Sequence, residues 1–151
     1  MQVHVGGIYG NNEKSMERFI KRYKSLDKNI KRKLVIENDE KSYNLSEYLD
    51  ISKEIKIPVL FDYFHHELNN TGKDIEGCFE NFTKTWKTKE GLPLVDYSSQ
   101  NPDKAKGTHI RSIDTDHFKN FLKETQNFDF DIMLEIKDKE ASALKAVDIL
   151  K

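Results

Sequence analysis

Two short apolar runs, Leu34-Val-Ile-Glu-Asn-Asp39 and Pro58-Val-Leu-Phe-Asp-Tyr-Phe-His-His66, each stop abruptly in residues able to bind a metal ion. Runs of β-branched and aromatic residues this short read as strands buried on both faces, the kind that parallel sheets use. Carboxylates and imidazoles at their C-terminal ends would then gather at one mouth of the sheet, where α/β enzymes place their chemistry. This pairing of strand and ligand constrains the fold more tightly than any other feature of the chain.

The same unit repeats along the sequence. A first strand, Gln2-Val-His-Val-Gly6, leads through a glycine loop to a helix with Met16, Phe19, Ile20 and Tyr23 on one face. The opening directly on a strand suggests a piece of something larger. Asn44-Leu-Ser-Glu47 is a capping box and starts a helix facing inward with Leu45, Tyr48, Leu49 and Ile55. After the strand ending at Asp62, a helix carries Ile75, Phe79, Phe82 and Trp86 inward. A fourth strand is expected over Leu92–Tyr97, a long polar loop over Ser98–Asp114, and a helix capped by Thr115 with Phe118, Phe121 and Leu122 inside. Phe130-Asp-Ile-Met-Leu-Glu135 and a helix from Lys139 to Leu150 close the series. Five βα units of crossover length predict an α/β fold with a parallel sheet, a partial TIM (β/α)8-type barrel in a single domain over residues 1–151.

Collecting the polar residues at the strand ends gives His4, Glu37, Asp62 with His65, Asp96 and Glu135, with His109 added from the long loop. Each alone has a plain structural role open to it: a core histidine, a turn residue, a surface ion pair. Their conjunction points further, because acidic side chains buried together need cations to neutralise them. Imidazole mixed with carboxylate suits Mn²⁺, Zn²⁺ or Fe²⁺ better than the all-oxygen shell of Mg²⁺ or Ca²⁺. Four carboxylates balance two divalent ions, so a cluster of two or three metals is expected, of the type that activates water against phosphate.

Other classes are excluded or unsupported. Twenty-five basic residues against 26 acidic ones, a net charge of −1, give no global signature of nucleic-acid binding. No apolar run approaches the roughly 20 residues of a membrane helix. The single cysteine, Cys78, sits in a helical apolar pattern and reads as core; with no disulfide available, the expected compartment is the reducing cytoplasm.

His4-Val-Gly-Gly, Glu37-Asn-Asp-Glu, Asp62-Tyr-Phe-His-His, Asp96-Tyr-Ser-Ser-Gln, Gly107-Thr-His109 and Asp131-Ile-Met-Leu-Glu135 resemble, in order, motifs of the UV damage endonucleases. The resemblance covers essentially the whole chain and corresponds to the C-terminal part of the family's barrel. It implies a DNA repair endonuclease that nicks the backbone 5′ to UV photoproducts, on a TIM barrel with a metal cluster, usually manganese. It implies that His4 binds a first metal, that Glu37 bridges the first and second, that Asp62 and Glu135 hold the second, and that His65 and His109 hold the third. Glu37, Asp62 and Glu135 would then be catalytic, with Asp96 a further ligand. The family pattern often has Lys-x-His where this chain has Leu94-Val-Asp96, so Leu94 cannot supply that lysine's charge. Lys104, Lys106 and Arg111 would meet phosphates, and Tyr63 and Phe64 would touch an extruded nucleotide of UV-damaged duplex DNA. The alternatives are another metal-dependent barrel enzyme, of the AP endonuclease or sugar isomerase type, and a non-catalytic fragment. The missing barrel half, or self-association through open sheet edges, is the expected protein partner.

Overall fold

The computed structural model describes all 151 residues. In chain order, β1 (Gln2–Val3) is followed by α1 (Asn12–Ser25), the short α2 (Lys28–Lys31), β2 (Val35–Glu37) and α3 (Leu45–Ile55). Then come β3 (Val59–Asp62), α4 (Tyr63–Leu68), α5 (Ile75–Phe82), β4 (Leu94–Tyr97), α6 (Thr115–Glu124), β5 (Asp131–Leu134) and α7 (Glu140–Leu150). The five strands form one parallel sheet in the order β1-β2-β3-β4-β5, each paired with its neighbour in sequence. Sequential parallel neighbours joined by helices are the arrangement of a (β/α)8 barrel wall. No helix is long and apolar enough to cross a membrane.

The register sorts the strands' side chains into two faces. Directly paired residues of parallel strands point the same way, and the direction alternates along each strand. Ile36, Phe61 and Val95 form the outer set; all are fully buried beneath Tyr48, Ile51, Phe79, Phe82, Phe118 and Phe121 from the helices. The inner set follows from the pairs Gln2↔Val35, Glu37↔Leu60, Asp62↔Asp96 and Asp96↔Met133. Two residues past Gln2 and Met133 lie His4 and Glu135, so every strand-end ligand falls on the inner face.

The sheet is strongly curved. Gln2 Nε2 on β1 donates to Asp96 Oδ2 on β4 at 2.9 Å. In a flat sheet, strands three places apart lie about 14 Å from one another. Only an arc brings those inner side chains into contact, as in the wall of a barrel.

Several boundaries differ from the sequence reading. β1 stops at Val3, and the Val5 N–H turns away to the Tyr48 hydroxyl at 3.1 Å. β4 starts at Leu94, after Pro93, whose carbonyl accepts from Asp131. The N-cap of α6 is Asp114, not Thr115: its Oδ1 accepts from the N–H groups of Asp116 and His117 at 3.1 and 3.0 Å. A carboxylate satisfies two orphan donors and complements the positive end of the helix, and so sets the cap one residue earlier. The capping box of α3 forms as expected, Asn44 with Glu47. Cys78 is fully buried.

Candidate metal centre

Glu37 and Asp62 are the last residues of β2 and β3, Asp96 is third in β4, and Glu135 directly follows β5. Glu37, Asp62 and Asp96 are buried; Glu135 and His109 are half-buried, and His4 is exposed. Two groups of ligand atoms form, each with all atoms within 4.8 Å of one another: Glu37, Asp62 and His65, and Asp62, Asp96 and Glu135. Asp62 is common to both. Its position at the end of the central strand gives it neighbours on each side.

Asp62 carries two duties on its two oxygens. Oδ1 caps α4 by accepting the His65 N–H at 2.7 Å. Oδ2 is buried, lies 3.1 Å from His65 Nδ1 and meets no other polar partner. Asp96 is divided in the same way, with Oδ2 held by Gln2 and Oδ1 buried and unbonded. Such orphaned carboxylate oxygens are costly unless a cation meets them.

The three histidines share one arrangement. Nδ1 of His4 lies 3.2 Å from the Glu37 carbonyl oxygen, Nδ1 of His65 3.0 Å from that of Asn38, and Nδ1 of His109 3.1 Å from that of Glu135. On His4 and His109 a backbone carbonyl at Nδ1 favours the proton there and frees Nε2 to ligate, whereas His65 Nδ1 also lies 3.1 Å from Asp62 Oδ2 and 3.4 Å from Glu37 Oε1, with its Nε2 facing Glu40. The rings of His4 and His109 each centre 6.1 Å from that of His65, so the three imidazoles run across the mouth beside the carboxylates.

Electrostatics supports the same conclusion. Burial raises the carboxyl pKa of Asp96 to about 7, with the neighbouring Glu37 and Glu135 charges adding to the effect. Burial likewise raises Asp62. For His65, burial works to lower the pKa, but the Glu37 and Asp62 carboxylates outweigh it and the ring is raised. Burial and like charge thus make these carboxylates costly to ionise, a cost that a cation would offset.

Some residues expected at the site are placed elsewhere. Tyr63 is buried in the helix layer, stacked on Tyr97 and edge-on to Phe121, with its hydroxyl on Glu124 at 3.2 Å. Phe64 is 1% exposed and packs edge-on against the His109 ring, 5.2 Å between centroids. Neither offers a free aromatic face to a nucleotide; both hold the frame of the centre. His66 points away, against Phe61 and 3.6 Å from the Cys78 sulfur. Lys104, Lys106 and Arg111 are exposed, and the two lysines rim an open depression of about 490 Å³ next to the mouth.

Besides Gln2, four contributors were not picked out as site residues from sequence. Asn38 spans β2 and β3, donating from Nδ2 to the Asp62 carbonyl and accepting at Oδ1 from the Asp62 N–H, both at 2.9 Å. Asp39 gathers the backbone N–H groups of Lys41, Ser42 and Tyr43 and so shapes the loop that follows. Glu40 brings Oε2 to 3.8 Å from His65 Nε2. Gln100 folds the long loop, accepting from Gly107, whose φ of 86° reverses the chain so that His109 can bridge back to Gln100. The run Glu37-Asn-Asp-Glu40 and the Ser-Ser-Gln stretch carried that signal.

The whole chain, residues 1–151, matches the family described as UV-endonuclease UvdE. It is 40% identical over 151 residues to the UV DNA damage endonuclease of Clostridium perfringens (strain 13 / Type A), covering 99% of this chain and 37% of that protein. It is 40% identical over 149 residues to the UV DNA damage endonuclease of Bacillus mycoides (strain KBAB4), covering 97% of this chain and 47% of that one. The crystal structure of SacUVDE superimposes with a TM-score of 0.92 at 42% identity, over 99% of this chain and 50% of that one. The chain therefore spans half or less of the length of these relatives.

Proposed function

The chain belongs to the UV-endonuclease UvdE family, and from that premise we propose that it carries part of the active site of a metal-dependent endonuclease acting on UV-damaged duplex DNA. The observation that carries the proposal is the buried, unbonded Asp96 Oδ1, gathered with Asp62, Glu135, Glu37 and His65 into two overlapping groups of ligand atoms within 4.8 Å of one another.

The donor set fits divalent ions of the Mn²⁺ or Zn²⁺ kind, and we assign Mn²⁺, two or three ions, to it. Glu37, Asp62 and His65 would hold one, with His4 at its exposed side; Asp62, Asp96 and Glu135 would hold a second, and His109 with His65 would serve a third. When bound, the ions supply Lewis-acid chemistry and a nucleophile at neutral pH. This chain's own residues contribute the rest. Asn38 fixes the backbone of Asp62, Gln2 holds the Asp96 carboxylate, and backbone carbonyls orient the imidazoles. Lys104, Lys106 and Arg111 would anchor flanking phosphates, which position the strand without reading its sequence.

Relatives carry at least as much chain again, and we assign residues 1–151 to the C-terminal portion of such a barrel. The inner face supports this: Met133, in the middle of β5 and facing inward, is 41% exposed, where a closed barrel would cover it.

The test is elemental analysis of the purified chain together with nicking of UV-irradiated plasmid, alone and with the remainder of the barrel added as a second polypeptide. Glu37→Gln should reduce metal content and lower nicking by at least about a hundredfold, the scale on which single electrostatic catalytic contacts act, without altering the circular dichroism spectrum. Unchanged nicking by Glu37→Gln would remove that residue from the mechanism.

A further inference from the structure

The two groups of ligand atoms at the mouth differ in chemistry. Glu37, Asp62 and His65 set an imidazole beside two carboxylates, whereas Asp62, Asp96 and Glu135 are carboxylates throughout. Asp62 and Asp96 are directly paired across β3 and β4, so their side chains leave the sheet together on the inner face. Both are buried, and like charges held there side by side are costly unless a cation joins them.

Hydrogen bonding limits how these carboxylates can meet an ion. Asp62 gives Oδ1 to the His65 N–H at 2.7 Å and keeps Oδ2, which lies 3.1 Å from His65 Nδ1. Asp96 gives Oδ2 to the Gln2 amide at 2.9 Å and keeps Oδ1, buried without a partner. The all-carboxylate group thus offers one oxygen from each aspartate and at most two from Glu135. The Glu135 side chain is 33% exposed against 1% for Asp62, so solvent reaches the group past Glu135. Ca²⁺ takes roughly six to eight oxygens in a flexible shell, more than this set supplies. Zn²⁺ is better served where an imidazole is present. Mg²⁺ and Mn²⁺ suit carboxylate and water, and Mg²⁺ in particular keeps several waters beside one or two carboxylates.

We propose that the two groups select different ions. Asp62, Asp96 and Glu135 favour Mn²⁺ or Mg²⁺, relative to the group containing His65, which favours Zn²⁺. Gln2 is the positioning residue that sets the choice, because its amide restricts Asp96 to one ligating oxygen and so keeps the larger Ca²⁺ out. The inference rests on the metal-centre reading and adds to it an order among ions.

The experiment is equilibrium dialysis of the metal-free 151-residue chain against equal concentrations of Mn²⁺ and Zn²⁺. Elemental analysis of the protein and the Mn²⁺ electron paramagnetic resonance spectrum are the readouts. The parent should retain both metals. Asp96→His puts an imidazole into the second group and should replace bound Mn²⁺ by Zn²⁺; His65→Gln should shift the balance the other way. Gln2→Met keeps the side chain's length and removes the amide. It should lower Mn²⁺ affinity by about 10- to 100-fold, the usual effect of losing a partner of a ligating group. Ca²⁺ should then compete better, since Asp96 can offer both oxygens; a merely structural role for Gln2 would lower the melting temperature without changing which ions compete. Should circular dichroism show Asp96→His unfolded, Gln2→Met decides. A parental Mn²⁺ to Zn²⁺ ratio in folded Asp96→His, or parental ion competition in Gln2→Met, would overturn this inference and leave the metal centre standing. Zinc alone in the parent would do the same, whereas a parent that retains no ion would overturn both.

Discussion

Asn38 determines how far apart the ligands of β2 and β3 stand. Its amide occupies both backbone groups of Asp62, while its own carbonyl fixes the His65 ring. Asn38→Ala would leave a buried N–H and a buried C=O unpaired, a loss of about 1–3 kcal/mol. Chemical denaturation should show it, and metal titration should show weaker binding as well; a purely structural role would change only the first. Protonation gives a second expectation. Asp62, Asp96 and His65, together with His117 beside Glu67, hold protons in the folded chain at pH values where the unfolded chain has released them. The folded state then binds more protons, so stability falls as pH rises through that window. His66, kept neutral by burial, acts in the opposite sense, but only below its ordinary value. Between pH 6.5 and 8.5 the metal-free chain should therefore lose melting temperature, and added Mn²⁺ should restore it at the upper pH. A melting temperature that rose over this interval in EDTA would contradict the assignment of those protons.

At the scale of elements, the ends of helices and strands do most of the positioning. Asp114 holds α6 by two backbone N–H groups, and Asp114→Ala should cost about 0.5–2 kcal/mol; Thr115→Ala, by thermal melting, should cost much less. That contrast also marks what the sequence could and could not disclose. Strand ends at Glu37 and Asp62 were legible because apolar runs stop there in charged residues. The capping box at Asn44 was legible because its two partners sit at fixed spacing. The cap at Asp114 was not, because Asp and Thr adjacent to one another both qualify and only the backbone decides. His65 and His66 look alike in sequence. They lie on a helix, where one step turns about 100°, and so only His65 reaches the mouth. Tyr63 and Phe64 are committed to packing for the same reason. The long-range bonds of Asn38 and Gln2 carry no local signature at all.

Across the whole molecule, the apolar surface is unevenly covered. Leu144, Val147 and Leu150 of α7 are 68%, 50% and 58% exposed, while Met16, Phe19 and Ile20 of α1 are partly buried. Together with the edges at β1 and β5, this face should make the 151-residue chain self-associate unless another polypeptide covers it. Size-exclusion with light scattering should find oligomers that Leu144→Lys/Val147→Lys reduces; a monomer for both chains at every concentration would count against it. The bond from Gln2 to Asp96 connects this outer boundary to the chemistry. It is a chord drawn across an arc, tying the first strand to the fourth and fixing the span between them. A change at the β1 edge that moved Gln2 would remove the only hydrogen bond to the Asp96 carboxylate. The distance from Asp96 to the first strand is therefore set by the curvature of the wall.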